Sequence, residues 1–161
     1  MNSLLREIEK KDNREIALVI RKVLTEFGAN RPGFAFADPE LDFMFESYQN
    51  PKSIYYICEV DGKIIAGAGL MKLDCSLDST CELQKMYMLP IFRGAGLGRQ
   101  LLQLCINRAI DFGYRNMYLE TLHSMQSAQK LYLLNGFQKI SEPLGNTGHH
   151  GCDVFMLKKL Y

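Results

Sequence analysis

No stretch of this sequence is long and apolar enough to cross a bilayer. The longest apolar run, Ile64 to Met71, falls far short of the ~20 residues a spanning helix needs and contains two glycines. The opening residues, Met1-Asn2-Ser3-Leu4-Leu5-Arg6-Glu7, reach charge at once and lack the apolar core of a signal peptide. A cytoplasmic chain without a membrane partner is therefore expected. There is also no block of like charge: 19 Lys and Arg face 18 Asp and Glu for a net charge of +1. Nothing in that balance attracts nucleic acid, and none is expected as a partner. The five cysteines, Cys58, Cys75, Cys81, Cys105 and Cys152, form no Cys-x-x-Cys and none lies at zinc-ligand spacing from a histidine. Cys152 follows His149 and His150 closely, but no fourth ligand is evident, so no metal is expected and the thiols read as free and mostly buried. No linker, repeat or low-complexity segment divides the chain, and residues 1–161 are expected to form one domain.

What is present is a regular alternation of patterns. Leu4 to Ile8 suits a strand. Asp12 with Glu15 reads as a capping box for a helix whose apolar face is Ile16, Ile20, Val23 and Phe27, ended by Gly28. Asp38-Pro39 reads as the cap and first turn of a second short helix running to about Tyr48. Ser53 to Val60 and Lys63 to Leu73 are strand-like, and Asp61-Gly62 between them is a strong hairpin signal. Cys81 to Leu89 forms a strand ended by Pro90. A helix follows with Leu97, Leu101, Cys105 and Ala109 on its apolar face, closing at Gly113. Then come a strand over Asn116 to Thr121, a helix over Ser124 to Leu134 stopped by Asn135-Gly136, and strands over Phe137 to Ile140 and Cys152 to Leu160. The order β-α-α-β-β-β-α-β-α-β-β indicates an α+β fold around a mixed sheet.

The most informative segment joins the Cys81 strand to the Leu97 helix through Arg93-Gly94-Ala95-Gly96-Leu97-Gly98. Amide N–H groups at a helix start are unpaired and carry partial positive charge, and small residues let an anion approach the backbone. The spacing is not the Rossmann fingerprint, because Arg99 stands at the last glycine position, and no Gly-Lys-Ser/Thr makes it a P-loop. A tight β-to-α turn would use the same glycines. Arg93-x-x-Gly96-x-Gly98, preceded by Met88-x-Pro90 and followed by Leu101-Leu102, resembles the signature of the GNAT superfamily of N-acetyltransferases. Ala128-x-x-Leu131-Tyr132-x-x-x-Gly136-Phe137 is similar to a second signature of that family, in the expected order.

The resemblance implies a mostly antiparallel central sheet with flanking helices, in which the Cys81 and Asn116 strands splay apart. It implies acetyl-CoA as cosubstrate, with its pantetheine arm against the backbone of Met86 and Met88 and its pyrophosphate on the amides of Arg93, Gly94, Ala95, Gly96, Leu97 and Gly98. Met125 stands where the family often has asparagine, which leaves that contact to Ser124, Gln126 or Ser127.

Acyl transfer to an amine needs the proton of an ammonium removed, since a lysine-like amine has a pKa of roughly 10.4. Glu82 has the same spacing before Arg93 as the catalytic glutamate of family members that acetylate protein lysines, with Glu120 in reserve. Tyr132 matches the tyrosine that protonates the departing thiolate in many members. The Met88 N–H is placed to polarise the thioester carbonyl. The loop around Asn30 to Ala37, the hairpin, and the loop from Glu142 to Gly151 are expected on the acceptor side. The expected partners are a small-molecule or protein amine, and a homodimer is compatible with the resemblance. The competing reading is a domain of the same fold that senses acyl-CoA or assembles with other proteins without turnover.

Overall fold

The computed structural model describes residues 2–161. Seven strands form one sheet: β1 (Ser3–Glu7), β2 (Ile54–Val60), β3 (Lys63–Lys72), β4 (Thr80–Met88), β5 (Asn116–Thr121), β6 (Gln138–Ile140) and β7 (Val154–Lys159). They lie side by side as β1-β2-β3-β4-β5-β7-β6, and every neighbouring pair is antiparallel except β4 with β5. Helices α1 (Asn13–Glu26), α2 (Met44–Ser47), α3 (Leu97–Asp111) and α4 (Gln126–Leu134) cover the faces. The fold is the expected α+β arrangement with a mostly antiparallel sheet. Among the described residues no helix is long and apolar enough to cross a membrane.

Period-two alternation sorts β2 between two cores. Tyr56, Cys58 and Val60 join Leu101, Leu102, Cys105 and Ala109 of α3 on one face, while Tyr55 and Ile57 join Ile16, Ile20 and Leu24 of α1 on the other. The β2–β3 hairpin turns at Asp61 (φ +48°) and Gly62 (φ +78°), the paired positive angles that its sequence signals.

Two expected caps do other work. Asp12 has helical dihedrals and makes no side-chain cap. Its carboxylate instead accepts from Arg6 at 2.7 and 3.0 Å and from the Glu9 amide at 2.7 Å, while Glu15 accepts from the Ile64 amide at 2.9 Å. The Asp12 carboxylate thus closes a capping box with Glu9 on the preceding turn and is held by Arg6, while Glu15 is drawn to β3, so neither caps α1. Asp38 likewise makes no cap. The segment after it is a 3₁₀ turn over Pro39–Phe43 leading into the single turn of α2, not one helix, because the Asp38 carboxylate is drawn inward to Lys85 and His149. The hairpin turn also departs from expectation. It sits beside β1, with the Asp61 amide donating to the Asn2 carbonyl, away from the acceptor-side loops.

The feature that shapes the site is a bulge in β4. Gly67 pairs with Tyr87 and Gly69 with Gln84, so Ala68 alone opposes Lys85 and Met86. Lys85 takes φ +49°, a left-handed angle that costs a non-glycine residue about 1 kcal/mol or more. The fully buried Tyr55 stabilises it by donating its hydroxyl to the Lys85 carbonyl at 2.7 Å. Its ring lies over Gly67 and Gly69, where no side chain fits. A Cβ at Gly67 would stand 2.6 Å from the Tyr55 hydroxyl, and one at Gly69 would strike the ring and lie 2.7 Å from the Ile54 carbonyl. Gly69→Ala should therefore destabilise the protein by about 1–3 kcal/mol through overpacking against immobile backbone. Tyr55→Phe should cost about 1–3 kcal/mol through the orphaned carbonyl. Urea denaturation with unchanged m-values checks both.

Candidate active site

The β4–β5 ladder is short. Thr80, Cys81 and Glu82 pair with Asn116, Met117 and Tyr118, after which the two strands run on without pairing. Parallel strands hold together only where their ladder is continuous, and the bulge at Lys85 turns β4 aside just past this point. The gap becomes a groove of about 700 Å³ between β4 and α4, mainly apolar, with Met86, Met88, Leu101, Met125, Leu131 and Tyr132 in its walls. Gly98 keeps its floor low, since a Cβ there would reach toward Leu131, Met86 and Met88 at 3.6–3.9 Å.

The glycine loop closes one end of the groove. Gly96 is the N-cap of α3 at φ +82° and Gly94 sits at φ +84°, angles that side chains rarely adopt. Gly94, Ala95 and Gly96 are exposed, whereas Leu97 is buried and anchors the helix in the core. The Arg93 amide is already donated to the Pro90 carbonyl at 3.1 Å. No such bond occupies the amides from Gly94 to Gly98 among the described residues, and a Cβ at Gly94 or Gly96 would meet open space. The Arg93 guanidinium is also committed. It grips Glu26 at 2.7 and 2.8 Å, donates to the Met88 carbonyl at 3.0 Å, and lies over the Phe27 ring at 5.5 Å. Arg93 thus ties the loop to α1 and β4, and the free anion-binding capacity lies in the backbone that follows it.

A second, polar cavity opens deeper between β4 and β5, walled by Phe34, Glu82, Glu120, Tyr132, His149 and Cys152 among others. Glu82, the last residue of β4 paired with β5, is only 5% exposed and accepts a hydrogen bond from Gln84 at 2.7 Å. Gln84 is itself held by the Tyr48 hydroxyl at 2.8 Å. Burial raises the Glu82 carboxyl above the ordinary range, the Gln84 donor opposes this in part, and the charge of Glu120 adds to it. Glu120 accepts from the Tyr118 and Thr147 hydroxyls, each at 2.8 Å. Tyr132 is 5% exposed, its hydroxyl has no hydrogen-bond partner among the described residues, and burial pushes its phenol well up, so it is protonated at neutral pH. It lines both the apolar groove and the polar cavity.

Three groups that the sequence reading did not connect brace this cavity. The Lys85 side chain, 3% exposed, pairs with Asp38 at 2.8 Å and Glu40 at 3.6 Å, and Asp38 also accepts from His149 at 2.9–3.0 Å. Burial lowers the basicity of His149, but the Asp38 carboxylate more than offsets it and leaves the imidazole easier to protonate than usual. The loops meet again where the Gly151 amide donates to the Gly33 carbonyl at 2.9 Å, and the Phe34 ring fills the space a Gly151 side chain would need. The expected acceptor-side loops are thus joined to each other. Burial and the charges of Glu120 and Glu82 push Cys152 up to about 12, so it is a neutral thiol. Met125 is buried, and its sulfur accepts from the Thr121 hydroxyl at 3.6 Å. Ser124, Gln126 and Ser127 line the groove beside it. No cluster of metal-ligating side chains is found among the described residues.

Residues 20–137 match the sequence pattern of the Acetyltransferase (GNAT) family. The chain belongs to that family. It is 39% identical over 158 residues to YjgM, an uncharacterized N-acetyltransferase of Escherichia coli K12, covering 98% of this chain and 95% of that protein. Its fold is similar to a GNAT acetyltransferase of Staphylococcus aureus Mu50, with a TM-score of 0.85 at 21% identity over 99% of this chain and 100% of the other. It is similar also to the yncA protein of Salmonella typhimurium, solved with its cofactor acetyl-CoA (TM-score 0.76, 21% identity, 100% of this chain and 95% of the other). The GNAT chain described here is accordingly an acyltransferase by class.

The buried carboxyl of Glu82 makes a pH-dependent stability prediction for this GNAT protein. Its folded-state pKa lies above the unfolded value of roughly 4.3, so its stabilising contribution is complete below that pH and is lost as pH rises through the raised value. Glu82→Gln, which mimics the protonated carboxyl, should melt with the wild type near pH 4 and at a higher temperature at pH 8. Each ~1 kcal/mol recovered shifts Tm by about 2–4 °C. Thermal melts at the two pH values check the sign.

Proposed function

We propose that the chain transfers an acetyl group from acetyl-CoA to a primary amine by direct attack in a ternary complex. The observation that carries this reading is the position of Tyr132. It is the buried, protonated hydroxyl in the wall shared by an apolar groove leading from the free amides and a polar cavity holding the buried carboxyl of Glu82. The residues fit the cosubstrate: the amides of Gly94 to Gly98 offer donors to a pyrophosphate, and the unpaired edge of β4 beyond Glu82 offers backbone to an extended pantetheine arm, as a strand would be added. The family relative from Salmonella typhimurium holds acetyl-CoA as its cofactor, which supports the same ligand here.

In this reading Met86 and Met88 flank the arm and Arg93 braces the loop through Glu26. Glu82, directly or through water, takes the proton of the ammonium. The amine nitrogen forms the new C–N bond as the thioester C–S bond breaks, Tyr132 supplies a proton to the departing sulfur, and the second proton that the nitrogen sheds in becoming an amide passes to the Tyr132 oxygen, directly or through water. The phenol carries its proton at neutral pH, and because a thiol is the stronger acid by roughly 1.5 units in water, the donation is uphill unless the phenolate is reprotonated as it forms. Glu82 gives its proton up to solvent once the products leave. The raised pKa of Glu82 suits a base that must be ionised near neutral pH, so the rate should rise with pH across its titration.

Release of free thiol from acetyl-CoA in the presence of an amine panel tests the reading, and its absence with every amine would favour an acyl-CoA sensor. Tyr132→Phe should lower kcat by about 10²-fold or more with little change in KM for acetyl-CoA. Glu82→Gln should slow acetylation most at low pH, with the deficit shrinking as rising pH supplies neutral amine. Gly96→Glu should abolish CoA binding measured by calorimetry, because a carboxylate would enter the space above the free amides.

A further inference from the structure

The charges around the polar cavity are unevenly matched. Its cationic lining residues are Lys85 and His149, and both are already engaged by Asp38, with Glu40 adding a second carboxylate to Lys85. Neither is left to receive a carboxylate from a substrate. Glu82 and Glu120 are in the opposite position. They wall the same cavity and take part in no ion pair among the described residues; their hydrogen-bond partners are the neutral groups of Gln84, Tyr118 and Thr147. Two carboxylates near one another in a half-buried space repel, and an ion pair with an incoming cation relieves this. The second, independent observation is Tyr132, whose side chain is more than nine-tenths buried, unpartnered, and open to this cavity. Its hydroxyl reaches the open space of the cavity and is free to bond an incoming ligand.

Building on the acetyl-transfer reading, we propose that the acceptor is a small amine carrying a second cationic group and no carboxylate, with Glu82 facing the reacting nitrogen and Glu120 holding the other. Glu120 lies two residues further along β5 than Tyr118, the partner of Glu82, which is a step of about 6.6 Å. That step suits two ammonium groups separated by a few methylenes. Phe34 and Leu122 supply apolar wall for the methylenes. The nitrogen beside Glu82 sheds two protons, the first to Glu82 and the second to the Tyr132 oxygen once that has protonated the departing sulfur, and gains the acetyl group, while the distal ammonium keeps its charge throughout and so serves only in binding.

The test compares three acceptors of matched length on the unaltered protein, followed by thiol release from acetyl-CoA: 1,4-diaminobutane, n-butylamine and 4-aminobutanoate. The diamine should show a kcat/KM at least about tenfold above the monoamine, as expected for one charged hydrogen bond, with the amino acid lowest. Glu120→Gln should collapse the diamine-to-monoamine ratio toward one, mainly through KM. Glu120→Lys should raise the amino acid above the diamine. Thermal melts establish that each variant is folded, and the three-acceptor comparison decides the matter even if neither is. Equal or better turnover of 4-aminobutanoate by the unaltered protein would overturn the inference while leaving acetyl transfer intact. Absence of thiol release with every amine would overturn acetyl transfer itself, and the inference with it.

Discussion

Where the Tyr55 hydroxyl meets the Lys85 carbonyl, the central sheet gives up its regular ladder, and the site is built on that departure. The bond holds a non-glycine residue at a left-handed angle and makes β4 bulge just past its last pairing with β5. The groove, the cavity and the unpaired backbone edge all follow from the separation of those strands. Gly67 and Gly69 are part of the same device, because only their missing side chains leave room for the Tyr55 ring. A large aromatic, two glycines and a strained lysine thus form one mechanical unit far apart in sequence.

The same bulge places Lys85 where its ammonium is almost wholly removed from water. Such a charge is costly to bury, and its pairing with Asp38 offsets rather than exceeds that cost. The return is positional: Asp38 brings in His149, and the two loops that wall the cavity are drawn onto β4. Glu82 pays the opposite way. It stays buried beside Glu120 with no cation paired to it among the described residues, and burial makes its ionisation unfavourable.

Arg93 shows how a motif residue can serve a site indirectly. It belongs to the glycine signature, yet both its amide and its guanidinium are engaged within the protein, on Pro90, Met88 and Glu26. The arginine fastens the loop to α1 and β4 so that the next amides stay free. Those amides, presented at the start of a long helix, carry the anion-binding capacity.

The sequence by itself determined the element order, the hairpin at Asp61-Gly62, the glycine loop before α3 and the family. Each rests on local chemistry: hydrophobic period, turn residues that accept positive φ, and short motifs whose members are neighbours in the chain. It also singled out Glu82, Tyr132 and the loop glycines, which the fold brings to the walls of the two cavities. Asp12 and Asp38 read as helix caps because a carboxylate before a helix looks the same whether it bonds the amides that follow or other partners. Only the tertiary structure decided between them, bringing Arg6 to one and Lys85 with His149 to the other. It alone placed Tyr132 between groove and cavity and showed which charges there are already matched. Pairings across dozens of residues leave no periodicity in a sequence, and the fold must bring the partners together before their chemistry can be read.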